Sequence, residues 1–139
     1  MEMPLNLELK GYEESRVETF KEWPFGEDYP CNAVKMAEAG FYFCGSAKEP
    51  DVAQCFVCFK KLDGWEPEDD PWKEHKKHSP QCPFVKCGKK ESDMTYADLL
   101  LITHGRSLNA LKLYFKDVKS GLKADAEKVR NKLKQKRKK

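Results

Sequence analysis

Cys55-Phe56-Val57-Cys58, followed by sixteen residues to His75 and six more to Cys82, is the stretch that decides the fold. Two cysteines separated by two residues reach one ion from a tight turn, and a later His and Cys complete a Cys3His set suited to tetrahedral zinc. All four positions are then filled. A catalytic zinc keeps one position open for water or substrate. Three thiolates and a neutral imidazole also leave the ion with a net charge of about −1, a poor Lewis acid. The spacing therefore predicts one structural zinc ion per chain. His78 stands one helical turn beyond His75, so spacing alone leaves either imidazole open as the fourth ligand.

Disulfides fit poorly with a chain that opens on no apolar secretory segment. Cys31, Cys44 and Cys87 have no His near them in sequence, and they read as reduced, mostly buried thiols rather than nucleophiles. At 139 residues with eight Pro and eight Gly, the chain fits one domain plus an appendage. Its charged content, 35%, is above the roughly 25% usual for globular chains, so part of it is solvated surface. Residues 119–139 carry ten Lys/Arg against two acids, net +8, which leaves residues 1–118 at 16 minus 21, or −5. No apolar run approaches the roughly 18 residues of a membrane span, and the expectation is a soluble intracellular protein without a membrane partner.

Working outward, residues 1–14 read as an irregular arm with Leu5, Leu7 and Leu9 alternating. Ser15 with Glu18 has capping-box spacing for a short helix ending near Trp23-Pro24. Asn32 is placed to cap a second helix, Ala33 to Ala39, which stops at Gly40. Aromatic and β-branched residues over 41–44 and 52–63, between turn residues, predict a small antiparallel sheet that holds the Cys55/Cys58 knuckle. Asp70-Pro71 is an N-cap and N1 pair for a helix through His78, ended by Ser79-Pro80. The zinc domain, 15–86, is then complete by about Phe84.

A polar linker, 87–94, leads to a long helix with a basic tail, 95–139. Thr95 and Asp98 have capping-box spacing there, and Met94 with Leu99 the spacing of a hydrophobic staple. Leu108, Leu111, Phe115, Val118, Leu122, Ala126, Val129 and Leu133 recur at threes and fours, with Gly105 and Gly121 as weak points. Some 40 residues make a rod on the order of 60 Å long, more than a domain of this size can cover, so the stripe calls for a partner.

Arg16, Thr19-Phe20, Trp23-Pro24, the run Met36 to Phe41, Gly45, Asp51 and the run Ala53 to Phe59 form one pattern with a second group of residues. That group is Gly64-Trp65-Glu66-Pro67, Asp69-Asp70-Pro71, Glu74-His75 and Cys82. Together they resemble the baculoviral inhibitor-of-apoptosis repeat family, and within it the single-repeat members with a long carboxy-terminal helix. The resemblance implies an α+β fold with a short antiparallel sheet, short helices and one long terminal helix. It also makes His75 the ligand and frees His78.

It further implies a non-enzymatic adaptor of the chromosomal passenger complex in mitosis and cytokinesis, found in the nucleus, at the centromere, at the spindle midzone and in the cytoplasm. The stripe, with Leu108, Leu111, Phe115, Val118 and Leu122 as docking residues, would bundle with helices of borealin and the inner-centromere protein, which carries the Aurora kinase. A groove would take the histone-three tail that begins Ala-Arg-phosphoThr. Related repeats take Ala-initiated ends of apoptotic antagonists, or caspases.

In that groove Asp63 and Asp69 would accept hydrogen bonds from an α-ammonium, Leu62 and Trp65 would wall a methyl pocket, and Lys60 with His78 would meet the phosphate. Each has a plainer reading, with Asp69 a helix cap, Trp65 core, and Lys60 and His78 solvated. Tyr96 and Leu99 stand where the family places a homodimer contact. The +8 tail adds nucleic acid as a candidate partner.

The chain also departs from the family. Asn32-Ala33 stands where vertebrate relatives often have Thr-Pro, so that phosphorylation switch is absent. Asp63 is one methylene shorter than the usual Glu. No second Cys/His cluster is present for a ubiquitin-ligase domain. No Ser/His/Asp set or Gly-rich phosphate loop supports an enzyme.

Overall fold

The aromatic-rich segments pair as strands around the cysteine knuckle. In the computed structural model, which describes residues 9–137 and their side chains from Lys10 onward, β1 (Phe41–Phe43), β2 (Ala53–Cys55) and β3 (Lys61–Leu62) form an antiparallel sheet in that order. Phe41 pairs with Cys55 and Phe43 with Ala53, while Ala53 also pairs with Leu62. Paired residues share a face. Phe41, Ala53 and Cys55 are fully buried on theirs, so the register that builds the core also aims Cys55 inward. On the other face the Tyr42 hydroxyl donates to Gln54 Oε1 at 2.6 Å.

The chain has five α-helices among the described residues: α1 (Glu13–Glu18), α2 (Ala33–Glu38), α3 (Pro71–His78), α4 (Pro83–Cys87) and α5 (Tyr96–Arg137). Local chemistry starts two of the short ones as expected. Asn32 Oδ1 accepts from Lys35 N at 2.9 Å to open α2, and Asp70 accepts from Trp72 N at 3.0 Å with Pro71 in the first turn to open α3. The box expected at Ser15/Glu18 does not form. Helix α1 begins earlier, after Tyr12, whose side chain makes no cap. The first amide of α1, Glu13 N, instead donates to Glu91 Oε2 at 2.6 Å, a partner 78 residues away.

Residues 87–94, read as a polar linker, contain the end of α4, closed by left-handed Gly88, and a 3-10 turn at Glu91–Asp93. The capping box that opens α5 is reciprocal: Asp98 Oδ2 accepts from Thr95 N at 2.9 Å, and Thr95 Oγ1 accepts from Asp98 N at 3.2 Å. Lys89, 2.8 Å away, and the Thr95 bonds hold the Asp98 carboxyl down to about 2. Leu5 and Leu7 of the arm lie outside the described residues, and Leu9 opens a 3-10 turn, Leu9–Gly11.

The core joins Phe20, Met36, Phe41, Phe56, Val57, Trp65 and Phe84, and it extends past Phe84 to Ile102 of α5. A cation sits inside it. Arg16 is 1% exposed, its Nε donates to Ala37 O, and its Nη1 donates to Lys10 O and Gly11 O, all at 3.1 Å. The guanidinium lies 4.2 Å from the centre of the Phe56 ring, and burial lowers its pKa to about 10. Gly105 has a structural reason too. A Cβ there would meet Pro83 Cγ at 2.5 Å, so the apparent weak point lets α5 pass close to the start of α4.

The chain divides into two units, Met1–Arg106 and Ser107–Lys139. In the second, Leu108, Leu111, Phe115, Val118, Leu122, Val129 and Leu133 are all exposed, Phe115 by 63% and Leu122 by 66%. No described helix is long and apolar enough to cross a membrane.

Candidate metal centre and peptide cleft

The knuckle is built by backbone geometry. Cys55 leaves β2, the chain reverses, and Phe59 N returns to Cys55 O at 3.0 Å with Phe59 in the left-handed region at φ 60°. Amides of Val57 and Cys58 donate to Cys55 Sγ, 3.3 and 3.5 Å away, and favour negative charge on the sulfur against the opposing effect of its burial. Helix α3 delivers His75, which is fully buried, and the turn after it delivers Cys82, 2% exposed.

His75 Nδ1 donates to Ala39 O at 2.7 Å, which fixes the tautomer and turns Nε2 toward the sulfurs. His78, on the same helix, is exposed and lies away from this cluster.

The ligand atoms of Cys55, Cys58, His75 and Cys82 all lie within 4.8 Å of one another. Sulfur at about 2.3 Å and nitrogen at about 2.0 Å from a tetrahedral ion give edges of about 3.8 Å between sulfurs and about 3.5 Å between sulfur and nitrogen. Here Cys55 Sγ is 3.9 Å from Cys82 Sγ, and Cys58 Sγ is 3.6 Å from His75 Nε2. These four residues are placed to hold one metal ion.

Electrostatics agree. Burial pushes the Cys55 thiol well above its usual range, while hydrogen bonding from Cys55 and Cys82 holds Cys58 far below it. Burial opposes a charged His75, yet the neighbouring sulfurs outweigh it and raise the imidazole to about 9. The sulfurs thus hold a proton on His75, and a divalent ion bound by the cluster would displace that proton and leave the imidazole neutral.

The remaining thiols do not join it. Cys31 is fully buried, its pKa pushed up to about 12 by burial, whereas Cys44 and Cys87 are only half-buried, more open than expected.

Lys60, Leu62, Asp63, Trp65, Asp69 and His78 come together around a single open cleft of 210 Å³ between β3, the following loop and α3. Trp65 serves both readings. It is 6% exposed and packs edge-on to Phe41 at 5.3 Å, while its Nε1 donates to Leu62 O at 3.2 Å and its ring walls the cleft. Asp69 is not the cap of α3, a role held by Asp70. Its Oδ2 accepts from Glu66 N at 2.8 Å, which fixes the carboxylate at the cleft. Gly64, left-handed at φ 69°, makes the turn after β3, and its amide donates to Asp51 Oδ2 at 2.9 Å.

Lys61 and Glu74 also line the cleft, and neither was assigned to it from sequence. Glu74 Oε2 lies 3.2 Å from His78 Nε2, a pairing visible in advance as an i, i+4 spacing. Tyr96, 77% exposed, and Leu99, 43% exposed, stand on the first turn of α5.

A family model for the Inhibitor of Apoptosis domain matches residues 16–86. Baculoviral IAP repeat-containing protein 5 of Mus musculus is 49% identical over 105 residues, covering 76% of this chain and 73% of the mouse protein. The protein of the same name in Cavia porcellus is 43% identical over 122 residues, 88% of this chain and 86% of that one. Baculoviral IAP repeat-containing protein 5.2-A of Xenopus laevis is 52% identical over 86 residues, 62% of this chain and 55% of its own length. A match across the metal-binding unit, joined to relatives aligned over most of their length, leads to one assignment: the chain belongs to the baculoviral inhibitor-of-apoptosis repeat family, in its survivin branch.

Proposed function

We propose that this protein is a non-enzymatic adaptor whose metal-built unit holds one zinc ion and reads the free amino terminus of the histone-three tail phosphorylated on its third residue. The observation that carries this reading is the polarity of the cleft. The carboxylates of Asp63, Asp69 and Glu74, the ammonium groups of Lys60 and Lys61 and the imidazole of His78 surround the apolar wall of Leu62 and Trp65. An α-ammonium finds charge-assisted acceptors, a short first side chain finds the wall, and a phosphate two residues on finds the basic group.

Zinc suits three thiolates and one imidazole, and with no open position it has a structural role. The exposed stripe of α5 supports docking of the borealin and inner-centromere protein helices, and through them Aurora kinase, as the chromosomal passenger complex of mitosis and cytokinesis. Such a role places the protein in the nucleus, at centromeres and then at the spindle midzone, with a cytoplasmic pool. Exposed Tyr96 and Leu99 support a homodimer when those partners are absent.

The alternative reading, binding of caspases or Ala-initiated apoptotic antagonist peptides, draws on the same ammonium site and on the family to which the chain belongs.

Calorimetric titration with four peptides separates the readings. Ala-Arg-phosphoThr should bind most tightly, Ala-Arg-Thr more weakly, and the acetylated peptide not at all. Equal binding of free and acetylated peptides would rule out a terminus reader. Equal binding with and without phosphate, alongside tight binding of an Ala-Val-Pro-Ile peptide, would favour the apoptotic reading.

A further inference from the structure

Beside the apolar stripe, α5 carries a second ordered face. Each residue turns the helix by about 100°, and from position 112 to 137 seven positions fall within a sector about 60° wide. They are Lys112, Lys116, Lys119 and Lys123, then Arg130, Lys134 and Arg137. Every position in the sector is basic. Asp117, Asp125 and Glu127, the acids of this stretch, lie outside it, as do Lys128, Lys132 and Lys136. All seven ridge residues are exposed, and among the described residues only Arg130 is ion-paired, to Glu127 at 3.3 Å. At about 1.5 Å per residue the ridge is about 38 Å long.

We propose that this ridge binds the phosphate backbone of duplex nucleic acid. A row of cations with no large apolar side chain among them offers a protein partner only exposed ion pairs, which stabilise little. Against a duplex the same row gains from release of condensed counterions, since phosphates there repeat about every 1.7 Å of helix axis. Lysine predominates, and its compact ammonium meets phosphate without the planar fork that reads base edges, so binding is independent of sequence. The apolar stripe occupies the neighbouring sector, from Val118 and Leu111 through Leu122 and Phe115 to Leu108. The ridge and the stripe fall in different sectors, and the test below is made on the chain without any partner on the stripe.

The test is fluorescence anisotropy of the zinc-loaded full chain with a 30-base-pair duplex between about 50 and 200 mM NaCl. Full engagement gives a log–log salt slope of about −6, a loss of affinity on the order of 10³-fold or more across that range. Joint substitution Lys116→Gln, Lys119→Gln and Lys123→Gln should flatten the slope by about 2.7. The control Lys128→Gln, Lys132→Gln and Lys136→Gln removes equal charge from outside the sector and should flatten it by less than about 1. Equal flattening by the two sets overturns the ridge. So does an absence of duplex binding at the lowest salt, or tighter binding to poly-glutamate than to the duplex at matched charge, which would assign the face to an acidic protein.

Discussion

The two units of this chain solve the problem of stability in opposite ways. Residues up to Arg106 bury a small aromatic core, tie a buried arginine to three carbonyls and gather four metal ligands, so nearly every polar group inside has a named partner. From Ser107 on, one helix satisfies its own backbone but leaves a row of large apolar side chains exposed. A small domain makes up for limited core by metal binding, whereas an amphipathic helix gains most of its stability from whatever covers its apolar face. The first unit closes its apolar side chains into a core, and the second leaves its apolar row exposed.

Removing the metal should break the contrast most severely. Structural zinc contributes about 10–16 kcal/mol in small zinc-dependent peptides, so Cys82→Ser or a strong chelator should unfold the first unit. Near-ultraviolet circular dichroism from Trp23 and Trp65 should collapse while zinc is lost by mass spectrometry. Full stability of the variant in chelator would remove the metal from the account.

Arg16→Ala is next. It leaves the carbonyls of Lys10, Gly11 and Ala37 without their donor and opens space beside Phe56, at a cost of about 3–5 kcal/mol in urea unfolding. A loss below about 1 kcal/mol would show that water replaces the guanidinium there.

The separation of binding roles gives a third test. Asp69→Asn keeps an acceptor for Glu66 N but removes the charge, and should weaken peptide binding by about 2–5 kcal/mol with little change in melting temperature. Leu111→Asp or Phe115→Asp, both at exposed positions, should abolish docking of partner helices in co-purification and leave peptide affinity and metal content intact. If either variant disturbs both activities, the units are coupled.

Two glycines in one helix give the smallest and sharpest comparison. Gly121 has nothing within 4 Å of a Cβ, so Gly121→Ala should stabilise the helix by about 1 kcal/mol. Gly105→Ala must move Pro83, and should instead cost about 1–3 kcal/mol despite the same propensity gain. Opposite signs in thermal melts confirm that α5 is packed at one glycine and open at the other.

Much of this molecule is set by short-range chemistry and was legible in the sequence. The Cys-x2-Cys knuckle, the Asn32 and Asp70 caps, the Thr95/Asp98 box and the strand segments each depend on residues within a few positions of one another, so their spacing encodes them. The stripe of α5 was equally plain, because helical periodicity is a local property. Tertiary structure decided what depends on distant partners. It supplied Glu91 to the first amide of α1 in place of the Ser15/Glu18 box, and it turned His75 rather than His78 toward the sulfurs through Ala39 O. It also made Gly105 a point of close packing, and it buried Arg16 among carbonyls from two segments. Sequence spacing fixes which groups can meet within a turn or a helix. Which groups meet across the fold follows only when the core closes and each buried donor must find an acceptor.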